Sequence, residues 1–222
     1  AGFFSDLLQM ARSRDDLMAV RLMDVFIERH EIDEFSDALD RFMHLCLECL
    51  ANSGHIYVVC CGSSYNAALA GALFFNDLAG VELICILPGD FRGQYSRSLR
   101  DGDIFIAVSQ SGETKDLIDI LNSIIASGRD ISRIGLVNNV NSTLAQEKTQ
   151  LTIPLRCGPE IAVPATKSFI NQMAVFYCLA LKLAERRLDH LSLAPEAHRR
   201  QAEDIALRQK KLLDLPLLIR ET

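Results

Sequence analysis

The chain is 222 residues long, 49% hydrophobic and 23% charged, with a formal net charge of −6. That length suits one large domain, or one domain with helical additions, and allows a sizeable core. The acidic balance argues against a nucleic-acid partner, and no apolar run reaches the roughly 18 residues that a membrane span needs.

In chain order, residues 5–51 read as helices. Leu7, Leu8 and Met10 begin an amphipathic pattern that Leu17, Val20, Leu22 and Phe26 extend. After a polar break at 31–34, Phe35, Leu39, Phe42, Leu45 and Cys49 recur at helical spacing until Asn52-Ser53-Gly54 stops the helix. Ala1-Gly2-Phe3-Phe4 carries no basic region ahead of an apolar stretch, so no secretory signal is read there. The pattern then changes to short apolar runs at 56–60, 81–87, 104–108 and 134–137, with a short edge strand at 151–154. Helices are expected over 64–78 and 115–125, with a long apolar helix over 165–186 and a polar helix over 185–211. Strands alternating with helices predict a parallel sheet covered on both faces, with ligands beyond the carboxyl ends of its strands.

The seven cysteines are an odd number. Cys60, Cys61, Cys85 and Cys178 lie in apolar stretches and read as small buried hydrophobes. Cys46 and Cys49 form a CxxC near His44, but inside a helical pattern, and no second ligand pair follows. Core packing is the reading, with no metal, no cofactor and a reduced, cytoplasmic setting expected.

Three loops after strands stand out. In Cys61-Gly62-Ser63-Ser64-Tyr65-Asn66, Gly62 allows a sharp turn, and Ser63 or Ser64 either caps the next helix or meets an anion. Ser109-Gln110-Ser111-Gly112-Glu113-Thr114 offers three hydroxyls, an amide and a glycine between a strand and a helix. A cap needs one hydroxyl, so this loop points to anion binding, with Gly112 permitting close backbone approach. Neither GxxxxGK[ST] nor GxGxxG is present, which removes support for nucleotide hydrolysis or dinucleotide binding. In the third loop, 157–168, Pro164 suits a first helical turn. Lys167 there pairs either with Glu160 or with a ligand.

Together the three loops resemble the sugar isomerase (SIS) family. Within it they are similar to the first module of the isomerase half of glucosamine-6-phosphate synthase. The likeness covers about residues 50–185, through Cys61-Gly62-Ser63-Ser64-Tyr65-Asn66, Ser109-Gln110-Ser111-Gly112-Glu113-Thr114 and Glu160-Ile161-Ala162-Val163-Pro164-Ala165-Thr166-Lys167-Ser168-Phe169. It implies an α/β fold, a five-stranded parallel flavodoxin-like sheet flanked by helices, with extra N-terminal and C-terminal helices. The implied domains are 1–51 (N-terminal helices), 52–186 (the SIS domain) and 187–222, a helix or linker toward a second module.

The implied ligand is a phosphorylated sugar of fructose 6-phosphate or glucosamine 6-phosphate type. Ser109, Ser111 and Thr114 would bind its phosphate beside Gln110 and Gly112. Gly62, Ser63 and Ser64 would face the sugar or phosphate, and the Val163 backbone would line the sugar end. Ala165 departs from a serine common in the family, which puts one polar substrate contact in doubt.

The resemblance implies isomerase, aminotransferase or fructosamine-phosphate deglycase chemistry through an enediol-type proton transfer. The catalytic residues are unassigned, since the family's base, ring-opening histidine and C-terminal lysine match nothing in this chain. Glu113 and Glu160 are the loop carboxylates available, and Glu113, in a first helical turn, reads as ionised and structural. The alternative is a non-catalytic sugar-phosphate sensor or regulatory module. A homodimer is expected, with the apolar helix from Ala165 offering the surface.

Overall fold

The computed structural model describes residues 29–158, 166–191 and 193–221, and of these the side chains within 37–158, 166–191 and 193–212. The patterns at Leu7 to Phe26, and Glu160, Val163, Pro164 and Ala165, lie outside the described residues.

Helix α1 (Arg29–Ala51) leads into β1 (Ile56–Val59) and α2 (Ser63–Phe74), which tightens into a π-helical turn (Phe75–Ala79) closed by Gly80 at φ 59°. Then come β2 (Ile84–Ile86), α3 (Pro88–Gln94), β3 (Ile104–Ser109), α4 (Lys115–Ala126) and β4 (Ser132–Val137). A second π-helical turn (Leu144–Lys148) precedes β5 (Leu151–Pro154), α5 (Lys167–Leu188) and α6 (Pro195–Glu221). The five strands are all parallel, in the order β2-β1-β3-β4-β5. The parallel sheet covered on both faces is what the alternation of elements predicts, and its five-stranded flavodoxin-like form is what the family resemblance implies.

The apolar runs are continuous because β1 and β3 are buried at every position and alternate residues feed two cores. Ile56, Val58, Ile104 and Ile106 face a cluster built with Phe42 and Cys46 of α1, Ala68 of α2, and Phe176 and Leu179 of α5. Tyr57, Val59, Phe105 and Ala107 face the opposite cluster, with Phe91 of α3 and Leu117 and Leu121 of α4. Full burial of each large apolar side chain contributes about 1.5–3 kcal/mol. Gly71 lets α2 and α5 close together, since a Cβ there would lie 2.5 Å from the Phe176 ring.

Several boundaries differ from expectation. Strand β2 is confined to Ile84–Ile86, while Val81 and Leu83 are buried ahead of it. The helical backbone of α1 continues through 31–34, where a break was expected. Ser53, at φ 54°, is the left-handed residue after α1; Gly54 is required instead because a Cβ there would sit 2.8 Å from Cys49 Sγ and 2.9 Å from the Gly102 carbonyl. The polar helix expected over 185–211 is divided, with α5 ending at Leu188 and α6 starting at Pro195, a residue suited to a first turn. Cys46 and Cys49 pack in the core as expected. Burial pushes the Cys46 thiol up, and burial with the nearby Asp103 carboxylate pushes Cys49 to about 11. Cys61, by contrast, is exposed on the loop after β1, so it is not a buried hydrophobe.

Candidate functional site

The strand order reverses beside β1, with β2 on one flank and β3 on the other, and the crevice beyond the carboxyl ends of β1 and β3 is where such sheets hold ligands. Two of the three loops singled out from the sequence emerge there. Val59, the last residue of β1, is paired with Ala107, and β3 runs two residues further to Ser109. Although Cys61 is exposed as a residue, partial burial of its thiol is the chief cause that raises its pKa, with the Asp116 carboxylate in the first turn of α4 adding to it.

The loop after β3 begins while still in the strand, because Ser109 is its last residue and is buried. Its Oγ accepts the Gly112 N–H at 3.0 Å and shares a hydrogen bond with Thr114 Oγ1 at 2.8 Å. Ser111 is exposed, and its Oγ accepts the Glu113 N–H at 3.1 Å. Each hydroxyl carries one proton. The bond between Ser109 and Thr114 uses one of their two, and Ser111 acts in this loop as an acceptor. Thr114 is the residue before α4, yet its side chain makes no capping bond to that helix. Thr114 therefore does not serve as a side-chain cap, and spare hydroxyl protons stand beside a helix start that favours negative charge. Gln110, half-buried, sits between the two serines.

Gly112 has φ 69°, and a Cβ there would stand 1.9 Å from Ser142 Oγ and 2.4 Å from Ser142 Cβ. What approaches this glycine is thus Ser142, from the loop after β4. That loop makes two further contacts: Thr143 donates its N–H to Glu113 Oε1 at 2.7 Å, and Leu144 donates to the Gly112 carbonyl at 3.1 Å. The Thr143 amide and hydroxyl beside Glu113 hold its carboxyl below the usual carboxylate range. Glu113 lies ahead of Thr114 and so outside the first turn of α4 where it was expected; Thr143, not the helix, favours its ionised form.

In the loop after β1, Gly62 at φ 60° is itself the residue before α2, and no side chain caps the helix. Ser63 and Ser64 fall inside its first turn, half-buried and buried, so the capping alternative for them is not what forms. Of the loop after β5, Asn138 braces the beginning, accepting the Cys157 N–H at 2.9 Å and donating to the Gly158 carbonyl at 2.8 Å. Lys167 opens α5 and is exposed; Glu160, one of its two alternative partners, lies outside the described residues. Asn138, Ser142 and Thr143 were missed from the sequence, although Asn138-Asn139-Val140-Asn141-Ser142 is as polar a run after a strand as the loops that were noticed. Among the described residues no group of three or more His, Cys, Asp or Glu side chains could hold a metal ion. No described helix is long and apolar enough to cross a membrane.

Comparison with known proteins matches residues 49–182 to the SIS domain. Glutamine–fructose-6-phosphate aminotransferase (isomerizing) of Thermotoga maritima is 37% identical over 160 residues, which cover 67% of this chain and 26% of that protein. The chain spans about a quarter of the length of the curated relatives it matches. Among solved structures, the C-terminal domain of glucosamine-fructose-6-phosphate aminotransferase from Francisella tularensis aligns with a TM-score of 0.66 at 22% identity, covering 99% of this chain and 52% of that one. An Escherichia coli protein solved with a bound ligand aligns at 0.56 and 19% identity, covering 71% of this chain and 90% of that one. At such identities the likeness is one of fold.

Proposed function

The chain belongs to the SIS domain family, and from that premise we propose that it binds a phosphorylated sugar with the phosphate seated on the 109–114 loop. The observation that carries this reading is the Ser109–Thr114 hydroxyl pair at 2.8 Å beside a helix start without a side-chain cap. Ser109, Gln110, Ser111, Gly112 and Thr114 form the phosphate wall in this reading. Gly62, Ser63 and Ser64 form the second wall, and the Val163 backbone lines the sugar end. Fructose 6-phosphate and glucosamine 6-phosphate are the proposed ligand types, a reading the names of the aminotransferase relatives support. The proposed division is 1–51, 52–186 and 187–222, the middle segment carrying the site. The free cysteines fit a reducing, cytoplasmic setting.

The finer proposal is a module of an isomerase or aminotransferase, whose proton-moving base must sit near neutral pH beside the reacting carbon. Glu113 does not meet that requirement, since Thr143 occupies its carboxylate and lowers its pKa. The same observation favours a second reading, a sugar-phosphate sensor or regulatory module without turnover. Isomerisation of fructose 6-phosphate by the chain alone would overturn the sensor.

Binding is tested by calorimetric titration of fructose 6-phosphate and glucosamine 6-phosphate. Ser109→Ala with Ser111→Ala is expected to weaken binding about 100-fold, as the loss of two charge-assisted bonds implies. Undiminished affinity in the folded double variant sinks the assignment. A second copy of the chain is the proposed partner, and light scattering that reads a monomer overturns it. Most apolar residues of α5 face its own core, so Leu69 and Leu73 of α2, exposed by 42% and 70%, are the better candidates for that contact.

A further inference from the structure

The loop after β4 supplies none of the proposed sugar-phosphate contacts, yet it is bonded to the loop that does. Residues 112 and 113 face both ways. Through their N–H groups they hold the cradle, Gly112 donating to Ser109 Oγ at 3.0 Å and Glu113 to Ser111 Oγ at 3.1 Å. Through their other polar atoms they hold the β4 loop. The Gly112 carbonyl accepts from Leu144 at 3.1 Å, and the Glu113 carboxylate accepts from Thr143 at 2.7 Å.

Ser142, 1% exposed, closes this joint by packing where a Cβ of residue 112 would lie. Its carbonyl accepts the Gln146 N–H at 2.9 Å, which fastens it to the following π-helical turn. Glu113 itself is exposed, so burial does not hold its side chain in place; the bond to Thr143 does. A carboxylate next to an anion cradle opposes the ligand through space. Bound to Thr143, the same carboxylate fixes the backbone that carries the hydroxyls.

We propose that Glu113 is a positioning residue: by gripping Thr143 it seats Gly112 on Ser142 and sets the spacing of the Ser109, Ser111 and Thr114 hydroxyls. This deepens the sugar-phosphate reading above and rests on it. Glu113 acts as a hydrogen-bond acceptor in this role, so its charge is dispensable and its acceptor oxygen is not. A base, or a direct ligand contact through the ionised carboxylate, has the opposite requirement.

The test uses the full chain, with inorganic phosphate and fructose 6-phosphate as probes in calorimetry. Hydrogen exchange at the Thr143 amide is followed in parallel. Glu113→Ala is expected to raise Kd for both probes about tenfold, the loss of one bond to a charged group. Its Thr143 amide should exchange faster. Glu113→Gln keeps a side-chain carbonyl for Thr143 and is expected to stay within about threefold of the unsubstituted chain, with the amide still protected. Thr143→Pro removes the donor from the other side at a φ of −56°, which suits proline, and should reproduce the tenfold loss with the Glu113 charge intact. Equal affinity in Glu113→Ala and the unsubstituted chain overturns the inference alone, as does a loss in Glu113→Gln as large as in Glu113→Ala. Binding of neither probe by the unsubstituted chain overturns the sugar-phosphate reading and this inference with it.

Discussion

At the amino edge of the sheet Asp103 is fully buried, and its two carboxylate oxygens accept the His55 and Arg100 N–H groups, each at 2.8 Å. Asp101 accepts the Asp130 N–H at 2.8 Å, and Gly102 donates to the Asp130 carbonyl at the same distance. His55 Nδ1 stands 3.5 Å from Asp103 Oδ1, an ion-pair distance without a hydrogen bond. At the carboxyl edge the arrangement is reversed. Hydroxyls bond to one another or to their own loop, and the residues before α2 and α4, Gly62 and Thr114, make no side-chain cap. Polar residues crowd both edges, so their number does not distinguish a site from a seam. A carboxylate matched to backbone donors closes the chain entering a strand. A hydroxyl with a spare proton beside an uncapped helix start is what the proposed phosphate seat requires.

The largest effect should come from the amino edge. Asp103→Ala strands two backbone donors and is expected to cost on the order of 3 kcal/mol in urea denaturation, with fructose 6-phosphate affinity unchanged in the folded fraction. Weakened affinity there would merge the two edges into one functional unit. Next is Gly112→Ala, which combines a left-handed backbone with a Cβ 1.9 Å from Ser142 Oγ. About 2 kcal/mol of destabilisation and a loss of anion affinity are expected. Gly62, at φ 60° and ψ −137°, is open to space, so Gly62→Ala should cost backbone strain alone, on the order of 1–3 kcal/mol in urea denaturation, without the Ser142 clash.

The smallest effect concerns pH. The Glu113 carboxyl is lowered from 4.5, so its contribution is fully present above that value and is lost as pH falls through the lower folded value. The Tm difference between the unsubstituted chain and Glu113→Gln should hold steady from neutral pH to about 5 and shrink below it. A difference that grows on acidification would contradict the Thr143 bond.

Much of the fold was legible because burial on both faces leaves an unbroken apolar run, as in Ile56-Tyr57-Val58-Val59, bounded by turn residues. Helix α3 was not, since Pro88-Gly89-Asp90-Phe91-Arg92-Gly93-Gln94 carries the residues of a turn. Its helix is secured by Phe91, whose ring packs edge-on against Tyr57 and Phe105 at 5.6 and 5.1 Å, contacts that no local pattern announces. Cys61 differs for the converse reason: close to a buried strand in sequence, it lies two residues past the strand's end, beyond buried Cys60, and outside the core.

The local sequence by itself determined the alternation of strands and helices, the glycines that turn off β1 and β3, and the hydroxyl-rich composition of the 109–114 loop. Chain propensities and hydrophobic period are short-range properties, and they suffice for that. Only the tertiary structure decided that Ser109 and Thr114 pair with each other instead of capping α4. It alone brought Ser142 and Thr143, some 30 residues further on, beneath Gly112 and Glu113. Which loops meet depends on strand order, and strand order is set by how two cores pack on opposite faces of one sheet.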